Sequence, residues 1–486
     1  MRTTALKKIS LLGFLAIMMG ACSNFNEPLQ DNASSQKTAL VTQTELTADV
    51  TLNEVRAIAK NFPSIHADKR LVNAKTQEAA KFSIYTIKND LGLPVVFVIN
   101  YKNNAGFLLL SATKKHEPVL AFSHTGNFPI DSKKPEPLEA WIENAKFLLT
   151  KAREFPNDSL AFYRQRWLDL QNYGMSPSPE KSSSILRSSE EDEVNPDHIF
   201  MEQVNRFTSA GYTVHFLDEL VITGDKALDD EIKARAEGSI YPLYDWERYS
   251  FVVESNVYEQ DIVNNFVTCK WDQQANFNDS CPIIINGKRA LVGCGPVAIG
   301  QAMYCKRYSG STTFNWNAMK DYNSTPECAR MLHNIGLVAG AKYGVDKTST
   351  EISGIEHALH HYGYYTSTIK HDFHKTFASL KTRMPVVMLG HLSSNNHGSA
   401  GHAWLATGGE TDNGHRHLEL YTFIDATTMN CIWQQNDHFV QNRFVYMNWG
   451  WGGSGDGFYG DDIASYAMNN DNYTIKNRKD IILTIQ

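Results

Sequence analysis

The chain has 486 residues, a formal net charge of -7, 11% aromatic and 20% charged residues. That length exceeds what one hydrophobic core usually organises, and the composition excludes wholesale disorder. With no Lys/Arg-rich run beyond the extreme N-terminus, nothing in the charge pattern favours nucleic acid as a partner.

The first eight residues carry Arg2, Lys7 and Lys8, and Ile9 to Gly20 form an apolar run too short to span a bilayer comfortably. This pattern predicts a cleaved export signal over residues 1–22. Its end, Met19-Gly20-Ala21-Cys22, resembles the bacterial lipoprotein signal, which implies lipidation of Cys22. The expected location is an outer-membrane or cell-surface lipoprotein, released outside the cell after processing. No later segment has the length and hydropathy of a transmembrane helix, so membrane contact is expected through the lipid alone.

From Thr51 to Phe62, the apolar residues Leu52, Val55, Ile58, Ala59 and Phe62 recur at helical spacing. Four strand-like runs follow, Phe82 to Ile87, Leu93 to Asn100, Gly106 to Ser111 and Pro118 to Ser123, separated by Asn, Asp, Gly and Lys punctuation. Leu138 to Tyr173 again reads as helix, broken near Pro156, with Trp141, Ala145, Leu148, Leu149 and Ala152 on one face. Helix, meander and helices together predict a small α+β module over residues 23–175. Residues 176–248 begin as a Ser-, Pro- and acid-rich stretch with little to bury, expected to be a linker or activation region in which Lys181 and Arg187 are cleavage points. Its second part, Asn195 to Arg248, has a mixed composition with no clear assignment. The remaining residues, 249–486, hold nearly all the chemistry.

Seven cysteines are present: Cys22, Cys269, Cys281, Cys294, Cys305, Cys328 and Cys431. With Cys22 lipidated and Cys294 kept for chemistry, five remain, so at least one further thiol is free. No CxxC or HExxH spacing exists, and neither a metal nor a cofactor is expected.

Around Cys294 the chain reads Gly293-Cys294-Gly295-Pro296-Val297-Ala298, a turn running into a helix. A thiol at a helix N-terminus meets unpaired N–H groups and the positive end of the dipole, both of which favour the thiolate. The plain alternative is a small buried hydrophobe. His402 lies in Gly401-His402-Ala403-Trp404, after a Gly-rich loop, and is expected to open a short apolar strand ended by Gly408-Gly409. It is a better base than His397, which lies inside that loop. The third block, Asn448-Trp449-Gly450-Trp451-Gly452-Gly453, has too many glycines for core packing alone, so the backbone must approach something closely. Asn448 is placed to accept the second imidazole N–H of His402, with Trp449 shielding that bond. Cysteine, histidine and asparagine give the logic of acyl transfer by thiol. Gln273, in Trp271-Asp272-Gln273-Gln274, supplies a side-chain amide for an oxyanion, although taken alone it reads as a surface glutamine.

These blocks, in this order, resemble the streptopain family of bacterial cysteine peptidases. The resemblance rests on Trp271-x-Gln273, Asn278, Gly293-Cys294, Gly401-His402-Ala403, the Asn448 to Gly453 block and Asp456-Gly457-Phe458. It implies an α+β, papain-like catalytic domain over 249–486, with the cysteine helix packed on an antiparallel, barrel-like sheet. It also implies Cys294 as nucleophile, His402 as base, Asn448 as its orienter and Gln273 in the oxyanion hole. Trp449, Trp451, Gly401 and Gly293 would line the substrate cleft. Gly106-Phe-Leu-Leu-Leu-Ser-Ala and Pro118-Val-Leu-Ala-Phe-Ser resemble the family's inhibitory propeptide, which makes residues 23–175 an intramolecular inhibitor. The expected function is a secreted zymogen of a cysteine endopeptidase acting on proteins and peptides. The alternatives are a catalytically inactive lipid-anchored binding or inhibitor protein of the same fold, and a transglutaminase- or amidase-like acyl transferase.

Overall fold

The structure is a computed structural model that describes residues 48–65, 81–154, 163, 166–167, 170, 195–218, 226–285, 287–392, 401–461 and 475–485. Cys22, the export signal, the first part of the linker and His397 lie outside the described residues. Among those that are described, no helix is long and apolar enough to cross a membrane. The six described cysteines are free thiols.

Helix α1, Leu52–Ile65, starts at a reciprocal cap in which Thr51 N–H donates to Glu54 Oε2 at 2.8 Å and Glu54 N–H donates to Thr51 Oγ1 at 3.3 Å. Strands β1 (Phe82–Lys88), β2 (Pro94–Tyr101), β3 (Phe107–Ser111) and β4 (Val119–Ser123) form the expected antiparallel meander. Both faces of this sheet are covered, which accounts for continuous apolar runs in place of an alternating pattern. Helix α1 packs Val55, Ile58 and Phe62 with Phe97, Ile99, Leu108 and Leu110 on one face. Helix α2, Glu136–Ala152, packs Leu138, Trp141, Ala145 and Leu149 with Val96, Val98, Phe107 and Leu109 on the other.

Helix α3 (Pro196–Ser209), strand β5 (Thr213–Phe216) and helix α4 (Lys226–Ser239) follow, and then the long strand β6, Ser250–Val263. The linker expected over 176–248 therefore contains, among its described residues, two helices and a strand. Phe200, Val204 and Phe207 of α3 pack with Phe251, Val253 and Phe423, whereas Leu228, Ile232 and Ala236 of α4 pack with Val252, Leu418 and Leu420. Alternate residues of β6 thus face opposite layers. Both helices expose much of their surface, and their polar composition hides the apolar spacing from a sequence reading.

A short hairpin, β7 (Ile283–Ile285) with β8 (Lys288–Arg289), precedes helix α5, Cys294–Lys306. Helices α6 (Pro326–Val338) and α7 (Ile352–His361) share its core, which joins Val297, Ala298, Ala302 and Met303 to Trp271, Leu332, Ile335 and Leu405. A Cβ at Gly300 would stand 2.5 Å from Leu332 Cδ2, so glycine permits the approach of α5 to α6. After β9 (Tyr364–Lys370) and helix α8 (Phe373–Lys381) come β10 (Val386–Leu392), β11 (Gly401–Phe423), β12 (Met429–Asn448), β13 (Gly457–Gly460) and β14 (Ile475–Ile485).

Gly408 and Gly409 do not end the strand that His402 opens; β11 runs through them to Phe423 and is 23 residues long in all. A Cβ at Gly408 would lie 2.7 Å from the Val263 carbonyl, and one at Gly409 2.8 Å from the Phe377 ring. The paired glycines mark close approach of other chain segments, not a strand end.

Twelve strands form one sheet, in the order β1-β2-β3-β4-β13-β12-β11-β10-β14-β9, with β5 and β6 branching from β11. The N-terminal meander joins the catalytic strands through β4 and β13, where Phe122 pairs with Phe458 and Ala121 with Tyr459. The result is a mixed α/β architecture with the helix that Cys294 opens packed against a large antiparallel sheet.

Candidate active site

Cys294 is the first residue of α5, and Gly293 before it has φ 94. No side chain fits at Gly293: a Cβ there would stand 2.9 Å from Thr348 Cγ2. The turn is held by Val292 N–H donating to the Gln273 carbonyl at 2.9 Å and by Thr348 Oγ1 donating to the Leu291 carbonyl at 2.7 Å. The first of these bonds brings Gln273, which is buried, beside the approach to the nucleophile. Ala403 N–H donates to Cys294 Sγ at 3.4 Å. Burial pushes the Cys294 thiol up, but the hydrogen bond and charge of His402, with the Ala403 and Gly295 N–H groups, outweigh it and hold the thiol below its usual range.

His402 follows Gly401 at the start of β11 and pairs with Gly390 of β10. Its burial favours the neutral ring, yet the Cys294 hydrogen bond and charge, with the Glu136 carboxylate, raise it above its ordinary value despite Lys347. Sulfur and imidazole therefore stabilise each other's charge, and they titrate as a pair. The ring's Nε2 is buried and ion-pairs with Glu136 Oε2 from the first turn of α2, without good hydrogen-bond geometry to any group.

Asn448 ends β12, and it is buried. Its carboxamide is not bonded to His402 in this state, although that bond is the one expected from sequence. Asn448 Oδ1 accepts from Gly450 N–H and from Gln301 Nε2, both at 3.1 Å, and Nδ2 donates to the Cys269 carbonyl at 3.0 Å. At the nitrogen where Asn448 is expected, the structure places Glu136.

The Trp-Gly block turns tightly beyond Asn448. Gly450, Gly452, Gly453 and Gly455 all have positive φ. Gly450 also lies against the nucleophile helix, where a Cβ would meet Val297 Cγ1 at 3.0 Å. Trp449 is buried, 5.7 Å from the Trp404 ring, and its Nε1 donates to the Gly455 carbonyl at 3.0 Å. Asp456 Oδ1 accepts Trp449 N–H at 3.0 Å, and burial pushes that carboxyl up to about 7. Trp449 is thus a structural pillar of the loop, whereas Trp451 is partly exposed at its rim.

Residues 129–138 cross this rim. Lys133 Nζ lies 5.7 Å above the Trp451 ring, and Leu138 and Pro129 press on the Gly455 backbone. A sequence reading misses Glu136, Lys133 and Gln301. Glu136 and Lys133 belong to an ordinary solvated helix start, and only the fold brings them to the cleft. Gln301 leaves one signal, a polar residue within the apolar run of α5.

Two protein-family models match the chain: that of the Peptidase C10 family over residues 271–459, and that of the Spi protease inhibitor over residues 47–147. Among solved structures, the chain is similar to a cysteine-to-alanine variant of a Prevotella intermedia prointerpain A fragment. The identity is 16%, over 82% of this chain and 98% of that one, with a TM-score of 0.45. It is also similar to the active wild-type Prevotella intermedia interpain A cysteine protease, at 21% identity over 45% of this chain and 94% of that one, with a TM-score of 0.33. No curated protein matches at a significant level.

Proposed function

We propose that this chain, whose residues 271–459 match the Peptidase C10 family and whose residues 47–147 match the Spi protease inhibitor, is an exported endopeptidase zymogen that its own prodomain keeps closed. In this reading the Cys294 thiolate attacks a peptide carbonyl, and the Gln273 side chain and the Cys294 N–H hold the oxyanion. His402 then gives its proton to the leaving amine, and the resulting thioester is cleaved by water, which His402 deprotonates. Asn448 orients the imidazole once the cleft is free. Trp451, Gly293 and Gly401 border the bound peptide, with Trp449 supporting them.

The observation that carries this reading is the placement of Cys294 at the start of α5 against the first residues of β11, where Ala403 N–H donates to Cys294 Sγ at 3.4 Å next to His402. Closure is supported by Glu136, whose carboxylate ion-pairs with Nε2 of the His402 ring, and by Lys133 over Trp451. A Cys294→Ala protein is expected to fold normally yet neither process itself nor digest casein. Normal maturation and digestion by that variant would overturn the assignment.

Export and lipidation at Cys22 rest on the N-terminal sequence alone. Mass spectrometry of the N-terminal peptide from membrane fractions tests them: a diacylglyceryl-modified Cys22 is expected, and an unmodified peptide retaining residues 1–21 would refute them.

A further inference from the structure

In helix α5 the run Val297-Ala298-Ile299-Gly300-Gln301-Ala302-Met303 contains a single polar side chain, and Gln301 is 0% exposed. Its Nε2 donates to Asn448 Oδ1 at 3.1 Å and to the Cys269 carbonyl at 3.2 Å, while Oε1 is buried with no partner. Leaving an amide oxygen unpaired in a core costs about 1–3 kcal/mol. Leucine or methionine would fill the same volume without that cost, so packing does not account for the amide.

Asn448 does account for it. A carboxamide has two nearly isosteric orientations with opposite hydrogen-bonding character. Here Gln301 and Gly450 direct two N–H donors at Oδ1, and the Cys269 carbonyl receives Nδ2. A turned-over Asn448 would set its NH2 against two donors and its oxygen against a carbonyl. Gln301 also sits on the same helix as Cys294, about two turns further on, so it holds Asn448 in register with the nucleophile.

The geometry points to Gln301 as the positioning residue for Asn448, fixing the orientation of its carboxamide relative to the catalytic cysteine and histidine. This rests on the reading of Asn448 as the orienter of His402. Gln301 touches no substrate; its influence on turnover runs through Asn448 to the imidazole.

The test uses the full-length chain after processing, with active sites titrated by an irreversible thiol reagent, and compares Gln301→Met, Asn448→Ala and the double variant. Gln301→Leu serves where the methionine variant does not accumulate. Gln301→Met is expected to keep or raise the thermal midpoint, since it removes the unpaired oxygen. Its kcat per titrated site should fall about tenfold, the scale seen for hydrogen-bond partners one layer removed from a functional histidine. KM should hold, and the alkaline limb of the pH profile should move to lower pH as the imidazolium loses support. In the Asn448→Ala background the substitution should add nothing further. A lower midpoint with fewer titratable sites, but unchanged kcat per site and an unmoved limb, would show a purely structural role and overturn the proposal. If Asn448→Ala is impaired while Gln301→Met is not, the Gln301 assignment alone falls. If Asn448→Ala leaves kcat and the limb unchanged, the reading of Asn448 falls, and this proposal with it.

Discussion

The prodomain meets the catalytic domain in regions of different kinds, of which the β4–β13 seam and the cleft are two. Along the β4–β13 seam, main-chain pairing and buried aromatics merge the two domains: Phe122 stacks on Phe458 at 4.9 Å, and Trp141 meets Tyr459 edge-on at 5.0 Å. At the cleft, polar side chains reach the site, an ion pair from Glu136 to His402 and Lys133 above Trp451, beside the apolar approach of Leu138 and Pro129 to Gly455. Burial of aromatic surface is worth several kcal/mol per side chain, whereas a half-exposed ion pair is worth about 1 kcal/mol or less. The seam therefore supplies the attachment, and the cleft contacts supply the block. Inhibition and adhesion are separable properties of this prodomain.

The largest expected effect comes from breaking the seam. Trp141 is 1% exposed, and Trp141→Ala should remove about 3–5 kcal/mol from the zymogen. Denaturation in the Cys294→Ala background measures this, and loss of under about 1 kcal/mol would mean that the seam is not the anchor. A second, smaller effect follows from cutting the linker while leaving the seam whole. The nicked protein should still elute as a single complex in size-exclusion chromatography, with the peptidase inhibited until the prodomain is degraded or unfolded. Immediate separation at neutral pH would contradict the attachment described here.

The smallest effect belongs to the cleft. Glu136→Gln should leave the fold intact yet speed alkylation of Cys294 in the unprocessed chain severalfold, because the block loosens while the seam holds. Its pH dependence has a definite sign. The folded value of His402 is raised, so the stabilisation that Glu136 gives the closed form is present below the ordinary imidazole range and lost as pH rises through the raised value. The difference in thermal midpoint between wild type and Glu136→Gln should accordingly shrink at alkaline pH. A difference that grows with pH would exclude the ion pair.

Much of this arrangement is legible in the sequence, for reasons that particular residues make plain. The meander from Phe82 to Ser123 and the amphipathic spacing from Leu52 to Phe62 declare themselves through local periodicity. Cys294 at a helix start, His402 opening a strand and Asn448 closing one are likewise local patterns. What stays hidden depends on distant pairing. Nothing local says that Gly408 lies under the Val263 carbonyl instead of ending a strand, or that helices α3 and α4 pack onto the far half of the β11–β12 hairpin. Two of the present partners of Asn448 are hidden for the same reason, since Cys269 and Gln301 come from stretches of chain far from it.

Strand β13 is only four residues long, Gly457-Phe458-Tyr459-Gly460, and β4 covers its outer side. Once the prodomain is destroyed, this strand becomes the border of the catalytic sheet, with unsatisfied amides and two aromatic rings newly wetted. Such a border invites clumping of identical molecules, and its brevity limits how many rungs a neighbour could add. Loss of the prodomain from this scaffold thus trades colloidal safety for an open cleft.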